Sequence, residues 1–471
     1  MVRQLLPLSA LLAASLLLVF GNGAAGLLLP TRAALEGWST DTIALMGAAY
    51  ALAFTAGCIG VPRLVARVGH IRVYSALGTL LIMSMLMHAM EVTPWFWVVV
   101  RALAGFSVAG SYMIVESWLN EEVTNETRGT IFSVYMVSTL IGQSVGPFLV
   151  TLGAPGDFTL FAWCAIIYAV STLPILLTSA RSPQPLTRFS LDLRGLYANS
   201  PAAAVGSLMS GAIVGLWLNL VPVYGIERGF ASAAIATLLA AGNIGSMLFQ
   251  LPVGRLSDRI DRRLVMVGLG IVGAALSVAI ALFGDDPTVL AVLAFALGAA
   301  LYTPYSINVA HANDWARDVS FVTVASGLLV LYGIGSTIAP LIGARVMAWA
   351  GPGGLFATIA VFYLAYAGFA LWRVFQRPEL PREEQEGFRS IPVGRVATPQ
   401  TFEFDTRSDA EAEPDADTGT DYDAPNPIWG YEYHPPSATD APPDGDAAPN
   451  AEVGAKGDAR GGTDGTPRAR G

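Results

Sequence analysis

Three ionisable residues, Arg101, Glu116 and His311, stand in stretches of the chain that are otherwise apolar. A charge in hydrocarbon is costly, so each must face a partner, a watery cavity or the membrane boundary rather than lipid. Arg101 lies several residues inside its apolar run, where it faces an interior or snorkels outward from near the helix end. Glu116, near the other end of the same run, is placed to pair with Arg67 or Arg128 and to open and close with a gate. Whether it also carries a proton stays open, because a carboxylate at the water boundary need not be perturbed. His311 has three readings: a proton site, a gate residue or a satisfied polar contact. Asn22, Tyr112, Asn219, Tyr302, Tyr305 and Asn308 add uncharged polar groups that lipid would solvate poorly. No nucleophile, paired catalytic carboxylates or metal-ligating cluster stands at matched depth, so neither an enzyme nor a metal or cofactor is expected.

The elements that must position these residues are long apolar runs. The chain has 471 residues, 53% of them hydrophobic and only 13% charged, against roughly a quarter charged in ordinary soluble domains. Runs of about twenty apolar residues, the length that spans a bilayer core, lie near 6–29, 42–61, 73–90, 95–118, 129–152 and 158–180. Six more lie near 201–223, 231–253, 264–283, 288–311, 319–347 and 353–375. They are too long, and too apolar on every face, for the strands of a membrane barrel. The first run, Leu5 to Phe20 after Arg3, imitates a signal peptide with its following Gly and Ala residues. Because the run resumes through Leu27 to Leu29 and stops at Pro30, it reads as a first spanning helix. Cys58 and Cys164 both lie inside apolar runs, as small buried hydrophobes, and imply no disulfide or metal framework.

Basic residues cluster on alternate loops. One set holds Arg63, Arg67, Arg72, Arg128, Arg181, Arg188, Arg194, Arg255, Arg259, Arg262, Arg263 and Arg317, and the other essentially Arg32 and Arg228. By the positive-inside rule the first set is cytoplasmic, which places both termini in the cytoplasm for an even helix count and the chain in a cell inner membrane. Shifting the sequence by 193 residues aligns Gly105 with Gly298, Tyr112 with Tyr305, Asn120 with Asn313, Gly142 with Gly335 and Pro147 with Pro340. A single offset over corresponding helices predicts two similar halves in the same orientation. The expected organisation is a six-helix bundle over 1–180, a cytoplasmic linker over 181–200, a second six-helix bundle over 201–378 and a tail over 379–471.

From Glu379 onward there are 20 acidic and 8 basic residues, so the tail carries −12 and the rest of the chain +3. Scattered loop arginines are not the concentrated basic surface that a polyanion requires, which excludes nucleic acid as a partner. The tail has too little apolar surface to offset its ordering entropy and is expected to be disordered. Its aromatic island around Trp429 reads either as a docking peptide for a cytoplasmic partner or as a chance cluster.

Gly254-Arg255-Leu256-Ser257-Asp258-Arg259-Ile260-Asp261-Arg262-Arg263 resembles the loop signature of the major facilitator superfamily, with Asp261 where the family has its second glycine. The equivalent loop of the first half keeps Arg67, Gly69 and Arg72, while Ala66 replaces the family's aspartate and Pro62 its first glycine. Arg101 through Gly105 is similar to the fourth-helix motif in which the arginine is linked to proton coupling. Glu116-Ser117-Trp118-Leu119-Asn120, with Arg67 to Arg72, looks like the YcaD-like branch. Gly142, Gly146 and Pro147, echoed by Gly335 and Pro340, resemble the antiporter motif without its terminal glycine pair, leaning towards efflux; plain helix packing explains the segment as well.

The resemblance implies an all-α fold of twelve transmembrane helices in two bundles related by a parallel repeat. It also implies a central cavity lined by the first, fourth, seventh and tenth helices, which carry Arg101, His311 and the six uncharged residues named above. The expected function is secondary active transport of a small neutral or amphipathic solute by alternating access, with protons as the drive. No phosphate-cradling loop for nucleotide hydrolysis occurs. A transporter-like sensor or assembly factor acting through its acidic tail is the alternative.

Overall fold

The computed structural model describes residues 2–123, 127–177, 191–316, 321–378 and 398. These form only helices and their connections: α1 (Val2–Leu35), α2 (Thr40–Val68), α3 (His70–Met90), α4 (Pro94–Glu122), α5 (Arg128–Val145), α6 (Phe158–Leu176) and α7 (Leu193–Asn199). The rest are α8 (Pro201–Glu227), α9 (Ser232–Ser257), α10 (Arg262–Phe283), α11 (Pro287–Leu301), α12 (Thr303–Asp314), α13 (Phe321–Ala350) and α14 (Gly354–Gln376). Helices satisfy every backbone polar group internally, which lipid cannot do for them. Among the described residues, twelve segments are long and apolar enough to cross a membrane, α5 with its extension and α11 with α12 each counting as one. The tail's expected disorder and the Trp429 island lie outside the described residues, as does the linker over 181–190.

In the first half α2 packs on α4, and α1 on α5 and α6; in the second, α9 packs on α11, and α8 on α13 and α14. The halves meet where α2 touches α13, α5 touches α9 and α1 touches α8. The duplication shows in the packing itself. A Cβ on Gly105 would lie 2.2 Å from the Tyr50 carbonyl oxygen, and one on Gly298 would lie 2.5 Å from that of Gly242. Both glycines bring the fourth span of a half against its second. Gly142 of α5 and Gly146, just beyond its end, open the fifth span to the backbone of α1, where added methyls would stand 2.8 and 2.3 Å from the carbonyl oxygens of Leu16 and Phe20. Gly335 likewise opens α13 to α8, its Cβ falling 2.0 Å from the Leu208 carbonyl oxygen.

Two runs expected to be single helices change character part-way. From Gly146 to Leu152 the fifth span tightens into a 3₁₀ helix with Pro147 in its first turn. The tenth span breaks at Tyr302, because Pro304 has no N–H for the Ala300 carbonyl four residues back. That carbonyl is not orphaned: the Tyr363 hydroxyl of α14 donates to it at 2.9 Å. In the eleventh span, by contrast, α13 continues through Pro340.

The twelve spans have two ends, named here by charge. At the basic end lie the α2–α3 and α9–α10 junctions and the ends of α4, α12 and α14; the far end holds the other turns. Large exposed side chains sit on the outer surface, among them Trp95 and Trp349 at the far end and Trp372 and Phe375 near the basic end, where amphipathic rings suit a lipid headgroup region. At the far end the halves touch through polar groups. Thr40 donates to Glu227 at 2.9 Å, and Arg345 of α13 pairs with Asp41 of α2 at 3.2 Å.

The two basic loops are built differently. Gly69 joins α2 to α3 at φ +90°, its N–H capping the Val65 carbonyl, a conformation that an L side chain reaches only under strain. Its counterpart Asp261 has φ −49° and caps α10 by accepting from the Arg263 N–H. The aspartate is tolerated where the family has glycine because no left-handed residue is required there. Gly69→Ala meets nothing within 4 Å, so its cost is conformational. It is expected to lower stability by about 1–2 kcal/mol, read by thermal unfolding in detergent.

Candidate functional site

Between the halves α2, α8 and α13 enclose a cavity of about 520 Å³, part of it continuous with solvent. From α2 come Gly47, Tyr50, Ala51, Phe54, Thr55 and Cys58; from α8, Leu218 and Asn219; from α13, Leu329, Tyr332, Gly333 and Ser336. No lining residue is ionised at neutral pH. Hydroxyls, one amide and three aromatic rings instead offer hydrogen bonds and flat apolar faces.

Helical periodicity explains how these residues converge. Tyr50 and Phe54 lie four apart on α2, as do Tyr332 and Ser336 on α13, and such pairs share one face of a helix. Close backbone approach fixes α13 in place. A Cβ on Gly211 would fall 1.9 Å from the Tyr332 carbonyl oxygen, and one on Gly215 would fall 2.7 Å from the Ser336 Cα. Asn219 is held by its own helix, its amide donating to the Gly215 carbonyl at 2.8 Å.

Of the residues expected at the cavity from sequence, Asn219 lines it, and three stand directly behind its wall. Asn22 accepts from the Tyr50 hydroxyl at 3.0 Å. Tyr112 lies against Phe54, ring centroids 6.4 Å apart, and Tyr305 meets Tyr332 edge-on at 5.0 Å. The remaining two are engaged between helices. Tyr302 donates to Asn243 at 3.1 Å, while Asn308 accepts from Tyr366 and donates to Ser210, each at 3.1 Å. Tyr50, Phe54, Thr55, Tyr332 and Ser336 were not singled out from sequence; the four-residue spacing of Tyr50 with Phe54 and of Tyr332 with Ser336 was the available signal.

Arg101 is 5% exposed. Its guanidinium lies 4.3 Å from the centre of the Tyr50 ring, a cation–π contact that places a fixed positive charge one ring away from the cavity. Glu116 is fully buried nearer the basic end and accepts from the Tyr135 hydroxyl at 2.7 Å. Arg67, one of its two expected partners, is exposed, and the Arg128 side chain lies outside the described residues. Glu116 also accepts from the hydroxyl of Thr398.

His311 is buried near the basic end beside Trp315 and lines a small crevice with Arg263, Arg373 and Arg377. Arg263 pairs with Asp261 at 2.7 Å and donates to the Arg373 and Arg377 carbonyls at 3.0 and 2.8 Å, which pins the end of α14. Arg262 pairs with Asp314 at 2.7 Å and lies 3.6 Å from Asp258. Gly254 is buried at the end of α9. Arg259, like Arg72 in the first half, points outward.

A model of the family described as Major Facilitator Superfamily matches residues 11–242 and, again, residues 203–404. The chain belongs to the major facilitator superfamily. It is therefore a multi-pass secondary transporter of small molecules, not an enzyme. Within the superfamily it is 27% identical over 381 residues to the uncharacterized MFS-type transporter YcaD of Salmonella arizonae, covering 79% of this chain and 97% of that one. The same protein of Escherichia fergusonii is 27% identical over 370 residues, covering 76% and 94%. Among solved structures, the nucleoside transporter NupG superposes with a TM-score of 0.62 at 19% identity, covering 79% of this chain and 98% of its own. A bacterial homolog of the human lysosomal transporter Spinster gives 0.61 at 12% identity, covering 80% and 98%. At those identities the solved neighbours establish the superfamily fold alone.

Proposed function

We propose that the protein is a proton-coupled carrier of a small neutral or amphipathic solute, bound in the cavity between α2, α8 and α13, with export the favoured direction. The observation that carries the reading is the pairing of an uncharged, aromatic-rich cavity with a buried arginine stacked on one of its rings. Tyr50, Asn219, Tyr332 and Ser336 offer hydrogen bonds to a solute, and Phe54 and the tyrosine rings offer stacking faces. A solute with a full charge would find no counter-ion among the lining residues. Arg101 biases the Tyr50–Asn22 pair electrostatically, so a proton arriving nearby competes with its field. Export is supported by the Gly142–Pro147 segment alone.

The basic end is assigned to the cytoplasm, because Arg63, Arg67, Arg72, Arg255 and Arg259 lie there against Arg32, Arg228 and Arg345 at the far end. With twelve spans both termini are then cytoplasmic in a bacterial inner membrane. Reporter fusions that placed the start of α1 and the end of α14 on opposite faces would overturn this topology.

Transport is tested in proteoliposomes under an imposed pH gradient, using a panel of labelled neutral solutes. Nucleosides belong in it, since NupG is described as a nucleoside transporter. At least one solute is expected to move with the gradient. Arg101→Ala is expected to lose gradient-driven movement by about tenfold or more while still exchanging labelled for unlabelled solute, as removal of coupling without removal of binding requires. Unchanged proton dependence in Arg101→Ala would refute the coupling role.

A further inference from the structure

We infer that the basic end of the second half carries a binding site for a phosphate group, in the crevice where α8 begins and α14 ends. The crevice has a volume of about 230 Å³, part of it continuous with solvent. Arg263, Arg373 and Arg377 all line it, and no carboxylate does. Guanidinium groups gathered around one hollow repel one another, so an anion placed among them lowers the energy of the whole cluster.

The three cations are not equivalent. Arg263 pairs with Asp261 at 2.7 Å and holds the end of α14 through two backbone carbonyls, so its charge is committed to the fold. Arg377 stacks on the Trp315 ring at 3.4 Å and donates to the Asn199 carbonyl at 3.3 Å, which fixes its plane beside the start of α8. Arg373 has no carboxylate partner among the described residues, and its guanidinium lies 5.5 Å from the centre of the Trp372 ring. Its fork of donors is the one left for a ligand.

A second observation points to a ligand independently of charge. Ser200 lines the same crevice and is 1% exposed, yet its Oγ has no hydrogen-bond partner among the described residues. A dry, unsatisfied hydroxyl costs stability that a bound acceptor would restore. Ser200 also stands at the N-cap of the 27-residue α8 without capping it. The leading N–H groups of α8, which have no acceptor within the helix, therefore open at the same place. His311 adds a ring nitrogen from α12.

Donors from three directions suit a tetrahedral oxyanion better than a planar carboxylate. A phosphate can take the Arg373 fork on two oxygens and present others to Ser200 and the α8 terminus. Free phosphate and a phospholipid headgroup offer the same group. Trp372 and Phe375, exposed beside Arg373 on α14, suit the level at which headgroups lie. Once bound, the anion ties the start of α8 to the ends of α12 and α14.

The test needs no transported solute. Thermal unfolding of the full-length chain in detergent is followed against rising inorganic phosphate and, separately, against dihexanoylphosphatidylglycerol. Chloride at matched ionic strength and dihexanoylglycerol are the controls. The midpoint is expected to rise saturably with at least one phosphate probe and with neither control. Arg373→Gln is expected to raise the half-saturating concentration about tenfold and Ser200→Ala about threefold, with midpoints near wild type when no probe is present. Arg72→Gln, exposed at the basic end of the first half, is expected to change neither quantity. A response to inorganic phosphate assigns the site to the free anion, and a response to the lipid alone assigns it to a headgroup. No saturable rise with either probe, or a half-saturating concentration that Arg373→Gln or Ser200→Ala leaves unchanged, would overturn the proposal.

Discussion

Arg262→Ala is expected to destabilise the protein by about 3–5 kcal/mol, because it removes the buried guanidinium with which the buried Asp314 carboxylate pairs. Arg262 and Asp314 are both buried and meet at 2.7 Å. Asp258, at 3.6 Å, and the Ser257 hydroxyl, at 3.3 Å, hold the same guanidinium from the end of α9. One side chain thus ties α9, α10 and α12 together at the basic end. Replacing both partners at once, Arg262→Met with Asp314→Leu, removes two desolvation penalties along with the attraction and is expected to recover most of the loss. Thermal unfolding of the single and double variants in detergent measures the coupling. If the double variant lost the sum of the two singles, no buried pair would be present.

Gly211→Ala is expected to lower stability by about 1–3 kcal/mol and to weaken solute binding, the second effect following from the first. Its Cβ would fall 1.9 Å from the Tyr332 carbonyl oxygen, and backbone cannot swing aside as a flexible side chain can. α13 must therefore move away from α8, carrying Tyr332 and Ser336 out of the cavity wall they share with Asn219. Gly268→Ala is the control, since nothing lies within 4 Å of its added methyl. Solute affinity measured well below the unfolding temperature separates the two effects: wild-type affinity in Gly211→Ala would mean that the cavity does not depend on this contact.

Much of the fold was legible because lipid imposes a coarse code. Each expected run corresponds to one of the twelve spans, since a twenty-residue apolar stretch has few alternatives to a helix in hydrocarbon. The 193-residue offset was legible for a related reason: Gly105 and Gly298 recur because the same close approach recurs. The break at Tyr302 was not anticipated, as Pro304 inside an apolar run does not reveal whether a neighbour such as Tyr363 will satisfy the freed carbonyl. The cavity was legible in part. Asn219 stood out as an amide among aliphatic residues, whereas nothing in the sequence separates Tyr50 and Tyr332 from the chain's other tyrosines until their helices are placed. Asp314 was not linked to Arg262, because a partner 52 positions away cannot be paired from spacing alone. Thr398 gave no signal at all: a threonine in an acidic, proline-containing stretch looks like any other solvated residue.

The polar contacts that join the two halves at the far end differ in kind from the buried pair that ties α9, α10 and α12 together. Arg345 is largely exposed where it meets Asp41, and Thr40 reaches Glu227 in the open, whereas Arg262 and Asp314 are shut away from water. Mobile ions weaken an attraction between exposed charges and leave a buried one almost untouched. Dissolved salt in the compartment bathing that end is thus expected to loosen the Arg345–Asp41 contact between α13 and α2 while leaving the Arg262–Asp314 pair almost unchanged.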